Sequence, residues 1–257
     1  MTRTFTMDAP AEECVLDKAG DRLTGAPLDR PDGPLKVSGR ATYAHEWQMP
    51  NKAFGVLVRA TISKGAVKSL NEDEVKALPD VLGVYADERF LRNPAQGMAN
   101  EAPVQNAQEI AYFGQPIALV VAESFEAARH AAQSLVVEYS IDDDGVFDPE
   151  GVNAPHEEPD GQQFHQGDLE RAMKNAAFTV DSVYRTPGHN SAAMEPHCSI
   201  ASWDGDKLTL RGSYQMLKFN RNELADALGV GAENVRILSP FIGGGFGSKL
   251  GIAPEAV

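Results

Sequence analysis

The residues with most chemical potential stand together near the end of the sequence. There Val235-Arg236-Ile237-Leu238 runs into Pro240-Phe241-Ile242-Gly243-Gly244-Gly245-Phe246-Gly247-Ser248-Lys249. Three successive glycines after a strand let bare backbone approach a ligand and turn N–H groups toward an anion. Phe246 supplies a flat apolar wall, and Lys249 adds a cation two residues past Gly247. The run is not a Walker A loop, because Lys249 is followed by Leu250, and it does not match G-x-G-x-x-G. Two readings stay open from the pattern: a loop that cradles an anion or cofactor, or a flexible structural turn.

A second cluster is Met194-Glu195-Pro196-His197-Cys198, with His189 upstream. One Glu, two His and one Cys invite a metal site. A carboxylate and imidazole satisfied by nearby backbone is the favoured reading, since the stretch holds no H-x-x-x-H or H-x-E pair. Gln215 falls between an expected strand and an expected helix, a place from which a side-chain amide can enter a site. Ser213 lies in Arg211-Gly212-Ser213-Tyr214 without G-x-S-x-G, so hydrolytic triad chemistry has no support. Cys14 and Cys198 are far apart and form no C-x-x-C, which excludes a cysteine-ligated iron–sulfur cluster or a Cys-rich zinc site built from this chain alone.

The elements that must position these residues follow from apolar patterning. Four proline residues and little periodicity make residues 1–34 an extended lead-in, with order starting near Leu35. Strands are expected at Phe54–Ile62, Ala66–Leu70 and Val81–Ala86, with a short helix capped by Asn71 and Glu74 between the last two. Pro116–Ala122 is a continuous apolar strand, residues 124–135 a helix, and Leu135–Tyr139 a strand. Two such strand–helix–strand units imply an α+β domain with helices packed on a sheet. Residues 142–166, with Asp142-Asp143-Asp144-Gly145 and several prolines, read as a solvated connection. Beyond Gly167, Ala177–Tyr184 alternates like a half-buried strand. Cys198–Trp203 and Lys207–Arg211 flank a turn at Asp204-Gly205-Asp206, and Leu217–Leu228 forms a helix stopped by Gly229. Pro254 looks like the start of another helix, so the chain is read as part of a longer polypeptide.

Composition bounds the partners. The 257 residues carry a net charge of -14, with 23 Lys and Arg against 37 Asp and Glu and no basic cluster in sequence, so nucleic acid is a poor partner. No apolar run approaches the roughly 18–20 residues that span a bilayer. The first residues lack an apolar core of the secretory type, so no conventional signal is expected.

Four segments occur in an order that resembles one known family: Asp32–Ala44, Phe113–Ala122, Met194-Glu195-Pro196-His197 and Ile242–Lys249. The sequence is similar to the molybdenum-binding large subunit of the xanthine dehydrogenase and aldehyde oxidase family, most of all to the bacterial periplasmic-type aldehyde oxidoreductases. Trp203-Asp204-Gly205 and Asn234–Ile237 fit as well. The resemblance implies an α/β hammerhead domain over 35–145, a linker over 146–166, and the N-terminal part of a molybdopterin-binding domain over 167–257. It implies that Gly244, Gly245, Phe246 and Gly247 lie against the pterin and metal, and that Gln215 stands beside an oxo ligand. The implied cofactor is molybdenum with molybdopterin in its cytosine dinucleotide form. The implied partners are an iron–sulfur subunit carrying 2Fe-2S clusters, an FAD subunit, and the C-terminal remainder of the large subunit. The implied reaction is hydroxylation of aldehydes or N-heterocycles, with its glutamate base on that remainder and no catalytic or direct metal-ligating residue in these 257. Ser191 stands where the family usually has histidine, and Ser248 where it usually has glycine. The alternative function is a catalytically incomplete piece that acts as an assembly module. Either cytoplasm or periplasm suits the family, export resting on a partner's signal.

Overall fold

A computed structural model describes residues 26–86, 108–142, 161, 164, 166–253, 256 and 257. The core of the connection, 143–160, and the expected helix start at Pro254 lie outside the described residues. Backbone packing divides the chain into Met1–Thr42 and Tyr43–Val257.

In the first unit a single helical turn, α1 (Gly33–Val37), lies where the extended lead-in is expected to give way to order, near Leu35. Pro34 sits in its opening turn, where a missing N–H costs nothing. The Ser38 hydroxyl donates to the Pro34 carbonyl at 2.6 Å, and the Leu35 carbonyl accepts from the Arg40 and Ala41 amides, which closes the turn.

The second unit opens with a 3-10 turn at Ala44–Glu46, whose Glu46 carboxylate accepts from the Tyr43 amide at 2.9 Å. The elements that follow are β1 (Phe54–Arg59), β2 (Gly65–Leu70), α2 (Glu72–Lys76), β3 (Val81–Tyr85), β4 (Glu109–Ile110), β5 (Pro116–Ala122), α3 (Phe125–Ser134) and β6 (Val137–Ile141). The continuous apolar run of β5 makes it the central strand of a three-stranded antiparallel sheet, β1-β5-β3, pairing Phe54 with Ala122 and Val84 with Val120. Val75, Val84, Ala118, Val120, Ala131 and Leu135 form the core between that sheet and the two helices.

The strand–helix–strand units expected to share one sheet do not. α2 leaves β2 in the sheet β4-β2-β6 and enters β3 in the other, while α3 leaves β5 and returns to β6. Every pairing in both sheets is antiparallel, so each helix crosses between sheets instead of bridging parallel neighbours. Helix α3 starts on Ser124, whose hydroxyl accepts from the Ala127 amide at 3.2 Å. Asn71 does precede α2, but its side chain caps no helix amide. It donates to Glu74 and accepts from the Val136 amide at 2.7 Å, tying α2 to β6.

After α4 (Leu169–Asn175) the chain from Ala176 to Pro187 is exposed and carries no regular structure. The strand expected at Ala177–Tyr184 is therefore absent. Alternation tells which side chains share a face, but a strand needs a neighbour to receive its ladder, and none lies alongside among the described residues. β7 (Ser199–Asp204) and β8 (Lys207–Gly212) form a hairpin across the two-residue turn Gly205-Asp206. α5 (Leu217–Leu228) then carries the chain to β9 (Val235–Leu238), which lies parallel to β8. The helix ends as expected on Gly229, at φ 67°, with the Gly229 amide donating to Asp226 and the Val230 amide to Ala225. Leu208, Leu210, Tyr214, Leu224, Ala225, Val235 and Ile252 form this half's core.

Asn220 of α5 is fully buried and fixes the chain beyond β9. Its Nδ2 donates to the Leu250 carbonyl at 2.7 Å, and its Oδ1 accepts from the Met216 amide at 3.2 Å. Asn220→Ala leaves both groups unmet in the interior and costs about 1–3 kcal/mol, to be read as a lower urea midpoint with unchanged m-value.

Candidate functional site

Because β8 and β9 run parallel, both leave the sheet at the same end. Gln215 follows the first and the glycine run follows the second, so 30 residues of separation collapse to direct contact. Open sheets place ligand sites outside the carboxyl ends of their parallel strands for this reason. The Gln215 amide donates to the Lys249 carbonyl at 2.8 Å, and the Lys249 amide donates to Gln215 Oε1 at 3.2 Å. The second bond orients the carboxamide by holding its oxygen, and leaves the NH2 group as the donor end of the side chain.

The loop itself is tied down through its carbonyl oxygens. Gly243 O accepts from the Glu195 amide, and Gly245 O accepts from both the Ser248 amide and the Ser248 hydroxyl. Phe246 O accepts from the Ser191 hydroxyl at 3.1 Å, and Ser248 O lies 2.9 Å from His197 Nε2. The amides of Gly244, Gly245, Phe246 and Gly247, by contrast, donate to no group among the described residues. Gly244 and Gly247 hold φ of 104° and 90°, and Phe246 itself sits at φ 49°. A phenylalanine in that region is strained by about 1–3 kcal/mol. The strain leaves its ring 76% exposed, as a wall at the surface. A side chain on Gly245 would place its Cβ 2.4 Å from Gln215 Cδ, so the carboxamide lies flat against that glycine.

Beneath the loop is a buried ion pair. Lys249, 1% exposed, donates from Nζ to the Glu195 carbonyl at 2.9 Å, to Glu195 Oε2 at 3.2 Å and to Ser213 Oγ at 3.1 Å. Glu195 Oε2 also accepts from the Gly243 amide at 2.6 Å, and Oε1 from the Ala44 amide at 3.4 Å. Burial by itself raises the Glu195 pKa. The Gly243 amide, the Ser213 hydroxyl and the Lys249 ammonium outweigh that and hold the carboxyl below its ordinary 4.5.

The five residues expected at the site, Gln215, Gly244, Gly245, Phe246 and Gly247, are thus brought together, with Gln215, Phe246 and Gly247 exposed, Gly244 half-buried and Gly245 buried against the carboxamide. Lys249 does not join them: the reading of it as a ligand-side cation is corrected, since its charge is consumed inward by Glu195. Glu195 and His197 are engaged by backbone groups of the loop, while His189 lies in exposed chain. Cys198 Sγ is 3.9 Å from His45 Nδ1. Among the described residues no three His, Cys, Asp or Glu side chains group as metal ligands. Ser191 and Ser213 carry tethers that spacing alone gives no signal for.

Loop amides that donate to no group among the described residues, beside a carboxamide, with an exposed flat ring and no methyl to fill the gap, fit an oxygen-rich, planar ligand. A molybdopterin-type group meets that description, its oxo and phosphate oxygens accepting from these donors.

Two outcomes follow. Gly245→Ala drives a methyl into Gln215, so its structure shows the carboxamide displaced and stability lowered by about 1–3 kcal/mol. Glu195→Gln strands the buried Lys249 charge and costs about 3–5 kcal/mol at pH 7. Glu195 is more acidic folded than unfolded, so its contribution is complete above pH 4.5 and lost as pH falls below it. The stability gap between wild type and Glu195→Gln, measured by urea midpoints, therefore narrows below that pH.

Residues 38–143 match the a/b hammerhead domain of aldehyde oxidase and xanthine dehydrogenase, and residues 152–257 match the molybdopterin cofactor-binding domain. The chain is 42% identical, over 97% of its length, to the aldehyde oxidoreductase molybdenum-binding subunit PaoC of Escherichia coli K12. It is 27% identical, over 88% of its length, to the putative xanthine dehydrogenase molybdenum-binding subunit XdhA of the same organism. It covers 34% and 33% of those proteins, so it spans about a third of the length of the curated relatives it matches. The fold is similar to quinoline 2-oxidoreductase from Pseudomonas putida 86, with a TM-score of 0.70 at 20% identity, covering 89% of this chain and 31% of that one. The chain belongs to the aldehyde oxidase and xanthine dehydrogenase family, its a/b hammerhead domain leading into molybdopterin cofactor-binding domain sequence.

Proposed function

We propose that this chain supplies one wall of the molybdenum–pterin site of a hydroxylase that oxidises aldehydes, or N-heterocycles, with oxygen taken from water. The observation that carries the reading is the run of amides from Gly244 to Gly247, which donate to no group among the described residues, beside the exposed side chain of Gln215. When bound, the cofactor supplies the two-electron redox chemistry. The chain's own residues supply directional donors: the loop amides toward anionic oxygens, Gln215 Nε2 toward an oxo acceptor, and the Phe246 ring against a planar group. The 42% identity to a molybdenum-binding subunit of an aldehyde oxidoreductase favours the aldehyde class; the cytosine dinucleotide form of the pterin is proposed with it. Separate iron–sulfur and FAD subunits are proposed as the electron acceptors.

No general base is proposed among the described residues. Glu195 is the nearest carboxylate to the loop, yet it is salt-bridged inward and held more acidic than usual, the wrong tuning for proton abstraction near neutral pH. The base and the remaining walls are proposed to lie on polypeptide beyond these residues. Phe178, Val183 and Tyr184, each more than four-fifths exposed, favour association with such polypeptide, which is also what an assembly module would need.

The two readings separate by experiment. The 257 residues alone are expected to bind molybdenum below stoichiometry and to give no aldehyde-dependent dye reduction. Assembled with the completing sequence and the partner subunits, the complex is expected to do both. In that complex Gln215→Ala slows dye reduction about 100-fold at unchanged molybdenum content. A complex without molybdenum or aldehyde oxidation leaves the assembly module. Full activity in Gln215→Ala removes the assigned role of the carboxamide.

A further inference from the structure

On the flank of the same half, α5 and β9 enclose a groove separate from the glycine loop. Leu217, Lys218 and Arg221 line it from the helix, and Val235, Arg236 and Ile237 from the strand, around an open volume of about 300 Å3. Three of these six residues are cations and none is acidic, on a chain whose net charge is -14. None of the three forms an ion pair among the described residues. The hydrogen bond recorded for their side chains is Arg221 Nη2 to Asn222 Oδ1 at 3.3 Å.

Two features make this more than a solvated basic face. Arg221 Nε is buried and meets no acceptor, an orphaned donor of a group that always carries charge. Lys218 stands in the first turn of a 12-residue helix that has no acidic residue there, so its charge opposes the positive end of the helix dipole. An anion that enters neutralises the cations and faces the favourable end of the dipole.

We propose that the α5–β9 groove is a binding site for a phosphate group, free or carried on a small phosphate monoester. The guanidinium of Arg221 is the principal donor, Lys218 adds charge from the same helix, and Arg236 contributes from the strand. Leu217 and Ile237 leave apolar surface for a small organic substituent beside the phosphate.

The test is a titration of the full 257-residue chain at constant ionic strength, followed by amide NMR. Inorganic phosphate in one arm and glycerol phosphate in another are expected to saturate with a dissociation constant of about 1 mM, shifting amides of 217–221 and 235–237. Tighter binding of glycerol phosphate identifies the monoester as the occupant, and equal binding the free ion. Arg221→Gln is expected to weaken binding about tenfold, and Arg221→Lys less than that, since it keeps the charge but loses the fork. Lys218→Gln, at an exposed position, gives a second weakened variant should Arg221→Gln fail to fold. The proposal is overturned if neither phosphate saturates these shifts, or if the folded variants bind as wild type does.

Discussion

The charge of Lys249, taken almost wholly out of water, is the constraint on which the site geometry rests. Burying an ammonium costs several kcal/mol unless each proton finds an acceptor. Here the Glu195 carbonyl, the Glu195 carboxylate and the Ser213 hydroxyl take the three. Satisfying that charge pins Lys249 at one end of the loop, and the same carboxylate pins Gly243 at the other. With both ends fixed and the carbonyls of Gly245 and Phe246 held by serine hydroxyls, the loop is constrained without use of its intervening amides. Their orientation is set before any ligand arrives, which is the condition under which hydrogen-bond donors stabilise developing charge most.

Supersecondary topology supplies the rest. The hairpin β7–β8 and the parallel pair β8–β9 make a three-stranded sheet whose core side chains, Leu208, Leu210 and Val235, meet Leu224 of α5. That packing fixes where the two strand ends emerge, and Asn220 and Glu223 of α5 hold the chain beyond the loop through Leu250 and Ile252. The Ala44 amide on Glu195, and the Arg211 guanidinium 3.7 Å from the Trp47 ring centroid, connect the segment ahead of β1 to the same structure. The site is held from several elements that lie far apart in sequence.

Much of this could be read from the residues alone, and the exceptions share a cause. The limits of β5 and α5 follow from a continuous apolar run and from an apolar face ending on Gly229, both local properties. Gln215 and the glycine run could be singled out because their positions, after strands, are also local. Ala177–Tyr184 misleads because pleat alternation is local whereas a ladder partner is not. The strand–helix–strand units mislead likewise: the sequence of elements was right, but which sheet each strand joined depended on long-range pairing. Lys249 is the sharpest case. Adjacency to a glycine loop suggests a cation for a ligand, and only the position of Glu195, 54 residues earlier, turns it inward.

Turning that lysine inward has a consequence for recognition. The loop surface then offers neutral dipoles without the charge of Lys249, on a chain of net charge -14. Such a surface gains little from long-range attraction of anions, and the overall field opposes their approach. Affinity must come from directional contacts: amide N–H groups aimed at oxygens, a carboxamide held by a backbone bond, and a ring presented in a strained but fixed conformation. A ligand that engages all three at once, planar and bearing several acceptor oxygens at set spacing, is distinguished from a simple anion of equal charge. The α5–β9 groove has the reverse character, with cations and one orphaned donor but no row of aligned amides. The two surfaces therefore select by different physics, one by geometry and the other by charge.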